Sequence, residues 1–154
     1  MNRFSFIPRS ESPVIFGLAM ASYAWALSSL INTLVRLFNH ATRPVSLLPE
    51  SLFWFTPFLD VALLVGVIEL LRIFRSSDAL QILFATLVLC ASKSLSWSLW
   101  GIILLPVFVL TAFAYVYWRR TSWVKAFGVA LLITLLQNVI PALRIIFGAS
   151  YHAP

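Results

Sequence analysis

The sequence predicts an all-α polytopic membrane protein, a compact bundle of five transmembrane helices in a single integral membrane domain over residues 1–154. Composition is the first reason. Hydrophobic residues make up 61% of the chain, charged residues make up 10%, and the mean hydropathy is +0.95, which is outside the usual range of soluble domains. The second reason is that the apolar residues form continuous runs of about 20, the length that crosses the hydrocarbon core of a bilayer.

These runs predict membrane spans at 13–36, 52–74, 77–93, 99–118 and 126–147. Pro13 begins the first run, whose full spanning length favours a retained helix over a cleavable signal peptide. The polar segment 92–98 predicts a tight hairpin, which makes the third span short. A bundle of four spans, with a re-entrant third segment, is therefore the runner-up. The fourth span is expected to kink at Pro106.

The basic residues predict the orientation in the membrane. With five spans, one side carries seven Lys and Arg residues and the other side carries four. The seven are Arg3, Arg9, Arg72, Arg75, Arg119, Arg120 and Lys125, and the four are Arg36, Arg43, Lys93 and Arg144. The positive-inside rule then places the N-terminus in the cytoplasm, and we expect a bacterial inner membrane. Nucleic acid is not an expected partner, because the basic residues lie singly or in pairs between apolar runs.

A stripe of small and polar residues follows one face of the first helix. Its members, at steps of four, three, four and four, are Gly17, Ala21, Ala24, Ser28 and Asn32. Small side chains let a second helix approach closely and gain dispersion contacts within a membrane. The stripe therefore predicts that another helix packs on this face. The alternative is that it only reflects the frequency of small residues in membrane helices.

Two acids lie in the second run. Asp60 is in its body, where insertion of a carboxylate is disfavoured by about 2.5–3.5 kcal/mol, so Asp60 needs a partner. Glu69 is three residues before Arg72, a spacing that predicts an ion pair at the membrane edge. For Asp60, matching depths in the bilayer predict a polar intramembrane cluster with Gln137, Asn138 and Arg144, and with Asn32 or Lys93 as secondary partners. Such a cluster either fixes helix packing or forms a proton, ion or small-solute site.

Signatures of catalysis and of metal binding are not found in the sequence. Cys90 is the single cysteine, and the two histidines, His40 and His152, lie in a loop and in the tail. The sequence contains no glycine-rich phosphate loop and no paired metal-ligand motif. We therefore expect neither a catalytic residue, nor a metal, nor a cofactor.

One family resemblance can be stated on particular residues. The segment from Glu69 to Arg75, the basic turn at 117–120 and the distance to Asn138 resemble the glutamic intramembrane proteases that process CAAX proteins and bacteriocins. That family uses a paired Glu motif and two later intramembrane histidines. This chain has Glu69 alone, and Thr134 stands where a histidine would be required. The resemblance implies a degenerate, non-catalytic relative of these enzymes.

The expected role is that of a non-enzymatic interaction or assembly module of a membrane complex. The module would associate with itself or with other membrane proteins, because five short spans leave little interior for an independent translocation path. The first alternative is a small transporter or channel subunit that moves protons, ions or a small solute past Asp60. The second alternative is the degenerate protease relative.

Overall fold

The structure, a computed structural model, describes residues 12–38, 55–96 and 100–149. Within these ranges the chain forms α1 Pro13–Phe38, α2 Thr56–Ile73, α3 Asp78–Ser96, α4 Trp100–Ile103, α5 Leu105–Arg119 and α6 Trp123–Ala149. The described ranges contain no strand. The predicted all-α class is therefore confirmed.

Prolines explain where two of the helices begin. Pro57 lies at the start of α2, and Pro106 lies at the start of α5. At the first turn a proline disturbs nothing, because the amide it lacks would have no partner there. The predicted kink at Pro106 is in fact a break, because α4 ends at Ile103 and α5 begins at Leu105. The proline ring crowds the carbonyl four residues earlier, which prevents one continuous helix over the predicted fourth span.

The third helix is longer than its sequence suggested. The hairpin predicted at 92–98 is wrong over its first five residues, because α3 continues to Ser96, and residues 97–99 lie outside the described ranges. Ser92 donates a hydrogen bond from Oγ to the carbonyl of Leu89 at 2.8 Å, so its hydroxyl is satisfied within the helix. Polar side chains at this end of α3 therefore do not end it.

Helix α5 lies at the centre of the bundle. It packs against α1, α3 and α6, while α2 packs mainly against α3 and α6. Its inward side chains include Thr111 and Tyr115, both fully buried. At the C-terminal end of α5, Trp118 packs edge-on against Phe16, with the ring centroids 5.8 Å apart. This contact places the start of α1 beside the end of α5.

The small-residue stripe of α1 faces the interior, and its first two members face α6. A Cβ added at Gly17 would lie 2.9 Å from Cδ2 of Leu132. One turn later, Gln137 donates a hydrogen bond from Nε2 to the backbone carbonyl of Ala21 at 2.8 Å. The prediction that another helix packs on this stripe is confirmed here, and the second helix belongs to the same chain.

Length and composition qualify one helical segment of the described ranges, 13–35, to cross a membrane. Helix α2 has 18 residues but carries three charged side chains, Asp60, Glu69 and Arg72. The apolar parts of α5 and α6 over Leu105–Arg119 and Trp123–Val139 are shorter. The five-span membrane topology therefore stays a prediction.

Candidate functional site

Glu69 is the centre of a polar cluster at the C-terminal end of α2. Its Oε1 accepts hydrogen bonds from the Tyr115 hydroxyl at 2.9 Å and from Arg119 Nη1 at 3.3 Å. Its Oε2 accepts one from Arg72 Nη1 at 3.1 Å, which is the ion pair that the three-residue spacing predicts. A single carboxylate is therefore bound by three donors, two of which come from α5.

Arg119 extends this cluster to α3. Its Nη2 donates a hydrogen bond to Gln81 Oε1 at 3.2 Å and lies 4.0 Å from Asp78 Oδ1. Asp78 also forms an ion pair with Arg120, which follows α5 directly. We call these residues the Glu69 cluster: Glu69, Arg72, Asp78, Gln81, Tyr115, Arg119 and Arg120.

The turn between α2 and α3 brings both acids to α5. Arg75 adopts φ 55°, in the left-handed region that residues other than glycine rarely adopt, and this reverses the chain within four residues. Ser76 then accepts at its carbonyl a hydrogen bond from Gln81 Nε2 at 2.8 Å. Gln81 is thus fixed on one side by the turn and on the other by Arg119, so the turn orients the cluster.

A second polar contact, the Asp60–Lys93 pair, lies toward the other end of α2. Lys93 Nζ is 2.8 Å from Asp60 Oδ1, and the two side chains are only 19% and 13% exposed. Asp60 and Glu69 are nine residues apart, which is about 14 Å along a helix. The pair therefore joins α2 to α3 near one end of the bundle, while the Glu69 cluster joins them to α5 near the other.

The predicted partners of Asp60 are thereby corrected. Lys93, expected as a secondary partner, forms the ion pair. Gln137 bonds to α1 instead, and Asn138 donates from Nδ2 to the carbonyl of Thr134 in its own helix at 2.8 Å. The position of each amide along its span could place it at the same depth in the bilayer as Asp60. It could not show which side of each helix is turned toward Asp60.

Asn32 and Arg144 are the other two residues predicted to lie near Asp60. Asn32 lies on α1 and its side chain is half-buried. The backbone of Arg144 is part of α6, and its side chain is outside the part of the chain that the structure describes. The predicted contact between Arg144 and Asp60 therefore stays a prediction.

The sequence did not identify the Glu69 cluster. It used Arg119 and Arg120 for the topology and for the family resemblance, and it gave Glu69 one partner, Arg72. The sequence did contain an indication of this cluster. Tyr115 and Arg119 are four residues apart, so they share one face of their helix, and that helix ends on the side of the bundle where Glu69 lies. The missing information was that this face of α5 turns toward α2 and α3.

The chemistry of both sites is that of paired charges. Each acid in the Glu69 cluster has a guanidinium partner, and the carboxylate of Asp60 has an ammonium partner. Among the described residues, no group of three or more His, Cys, Asp or Glu side chains could hold a metal ion. Such arrangements join helices and give each one a fixed orientation.

Comparison of the chain with protein-family models, with curated proteins and with solved structures gives no match.

The residues that carry the resemblance to glutamic proteases have other partners in the structure. Thr134 Oγ1 donates within α6 to the carbonyls of Ala130 and Leu131, both at 3.0 Å. Glu69 is bound by Tyr115 and the two arginines. The arrangement of these residues gives no support to the resemblance to glutamic proteases.

Proposed function

We propose that this chain is a multi-pass membrane protein that acts as a non-enzymatic interaction or assembly module of a membrane complex. The observation that carries this proposal is a continuous apolar stripe on the outer side of α1. Its members are all large and exposed: Tyr23, Leu27, Leu30, Leu34 and Leu37. We call it the Tyr23 stripe.

The spacing of the Tyr23 stripe supports contact with a helix of a partner. Its steps of four, three, four and three residues follow the heptad repeat by which two helices pack at a small crossing angle. The opposite face of α1 is buried, since Ala21 and Ala24 are 5% and 0% exposed. The Tyr23 stripe is therefore the part of α1 available to a helix of a second copy or of another membrane protein.

The distribution of charge supports insertion in a membrane. Large apolar side chains are exposed on α1, α2 and α3, for example Leu18, Leu59 and Leu83. Asp60, the acid in the body of the second apolar run, is paired with Lys93, and both side chains are mostly buried. Soluble proteins rarely expose this much contiguous apolar surface, whereas a lipid-facing surface requires it.

Replacement of Leu27 and Leu34 by alanine in one variant is expected to weaken assembly. The double variant should lower the ratio of complex to free protein by about tenfold, as loss of about 1.4 kcal/mol would. The complex is measured by native gel electrophoresis in mild detergent. The matched control is the double variant Leu63→Ala and Leu70→Ala on α2, where two exposed leucines are also seven residues apart. Equal assembly in both variants would remove the Tyr23 stripe from the proposal.

The proposed topology has the N-terminus in the cytoplasm and the α2–α3 and α5–α6 turns on the same side. In a Cys90→Ser background, the variant His40→Cys is expected to react with an impermeant maleimide added to intact cells. The variant Thr121→Cys is expected to react only after the membrane is opened. The opposite pattern would reverse the orientation, and labelling at both sites would contradict the five-span arrangement.

A further inference from the structure

An apolar groove lies between the beginnings of α1 and α6. It has a volume of about 310 Å³ and is lined by Pro13, Val14, Lys125, Gly128, Val129 and Leu132. Lys125 and Leu132 are seven residues apart on α6, so the groove extends about 10 Å along that helix. Its walls are apolar along this length, and Lys125 provides the charged group among its lining residues.

Gly128 keeps this groove open. A Cβ added at residue 128 would meet no atom within 4 Å, so the floor of the groove is bounded by backbone with space above it. A helix interior normally disfavours glycine by about 1 kcal/mol relative to alanine. The open space has the apolar lining that a hydrocarbon chain requires.

Lys125 gives the groove a positive end. The described part of the chain contains no carboxylate paired with its ammonium group. Lys125 is exposed, two residues after the exposed ring of Trp123, a residue type that favours the headgroup region of a bilayer. An apolar groove with a cation at one end complements a molecule with a hydrocarbon chain and an anionic headgroup.

We infer that this groove binds an anionic phospholipid, with an acyl chain along Gly128 and Leu132 and the headgroup phosphate at Lys125. This inference rests on the membrane insertion proposed above, which places this end of the bundle at the anionic cytoplasmic leaflet. The lipid would occupy the seam between α1 and α6. It would thereby add contacts between α6 and the helix that carries the Tyr23 stripe.

The test uses the full chain, purified in detergent, with phosphatidylglycerol and phosphatidylcholine of identical acyl chains as probes. Binding is read from the rise in melting temperature during lipid titration. We expect the wild-type protein to prefer phosphatidylglycerol by about fivefold in apparent Kd, the effect of one cation near an anionic headgroup. Lys125→Gln should remove this preference. Arg75→Gln, which removes a cation from the same end of the bundle but outside the groove, should retain it.

A second pair of variants tests the apolar part of the groove. Gly128→Leu should obstruct the groove and abolish saturable binding of both lipids without disturbing the backbone, because the Cβ of the new side chain would meet no atom within 4 Å. Gly66→Leu is the matched control, since Gly66 is also exposed within a helix and also has open space around it. Unchanged binding by Gly128→Leu would overturn the inference. Saturation by oleate equal to that by phosphatidylglycerol would also overturn the inference, because it would identify a fatty-acid site. If Gly128→Leu abolished self-association and left lipid binding unchanged, the occupant of the groove would be a second copy of the chain.

Failure of this inference can be distinguished from failure of the proposed function. If the chain does not insert, alkaline carbonate releases it from membranes before any lipid is titrated. If it inserts but the groove binds no phospholipid, the protein remains in the membrane fraction and shows no preference between the two lipids.

Discussion

Replacing Arg119 with methionine is expected to lower the free energy of unfolding by about 3 kcal/mol. The Arg119 side chain is 11% exposed and contributes donors to Glu69 and Gln81. The variant removes both bonds, and it leaves the acceptor of the buried Gln81 without this donor while Glu69, 31% exposed, keeps Tyr115 and Arg72. Methionine keeps an unbranched apolar stem in place of the aliphatic part of arginine, so the effect comes mainly from loss of the guanidinium. The measurement is unfolding in mixed detergent micelles, followed by far-UV circular dichroism.

Arg72 provides the matched control for this variant. Its distance to Glu69 is 3.1 Å, slightly shorter than the 3.3 Å of Arg119, but its side chain is 61% exposed. Solvent screens such a pair, so Arg72→Met should lower the free energy of unfolding by less than about 1 kcal/mol. Equal losses in the two variants would show that burial does not determine the strength of the Glu69 cluster.

Charge reversal at Lys93 is expected to be the second severe change. Lys93→Asp places a second carboxylate beside that of Asp60 in a mostly buried position, and we expect a loss of about 4 kcal/mol or failure to fold. Adding Asp60→Lys exchanges the two charges and should restore most of the stability, because the pair is formed again in the opposite sense. A double-mutant cycle in the same unfolding assay measures this coupling.

The control for charge reversal is an ion pair in which one partner is exposed, that of Arg120 with Asp78. The Arg120 side chain is 72% exposed, so Arg120→Asp should change stability by less than about 1 kcal/mol. If the exchanged Asp60–Lys93 variant is no more stable than Lys93→Asp alone, the two residues do not interact in the folded protein.

The exchanged variant also distinguishes the assembly module from the transporter alternative. It keeps the ion pair but moves the carboxylate from α2 to α3. An assembly module should retain its complex on native gels, because the packing of the helices is preserved. A transporter or channel that binds a proton or ion at Asp60 should lose its flux in proteoliposomes while it still folds. Flux in the wild type that is lost in this variant would favour the transporter.

Much of the secondary structure could be predicted from local properties of the chain. The length of the apolar runs predicted the main helices, and Pro13 marked where the first one begins, whereas Pro106 was expected to kink a helix and begins one instead. The pair between Glu69 and Arg72 was equally local, because three residues of helix bring the side chains together wherever the helix lies. The error at 92–98 was also local in origin. Serines suggest a turn, but Ser92 bonds to its own helix and α3 continues.

Partners between helices depended on information that periodicity does not contain. The depth of Asp60 limited its partners to a few residues at one end of the bundle, but Lys93 and Asn138 were both compatible with that depth. The choice depended on how α2, α3 and α6 rotate about their own axes. Each of these helices turns a buried side chain inward, Leu64 on α2, Leu89 on α3 and Ile133 on α6, and this packing sets the rotation. The same packing directs Arg119 toward Glu69 and leaves the groove open at Gly128, because a helix sequence specifies its faces but only the surrounding helices determine what each face contacts.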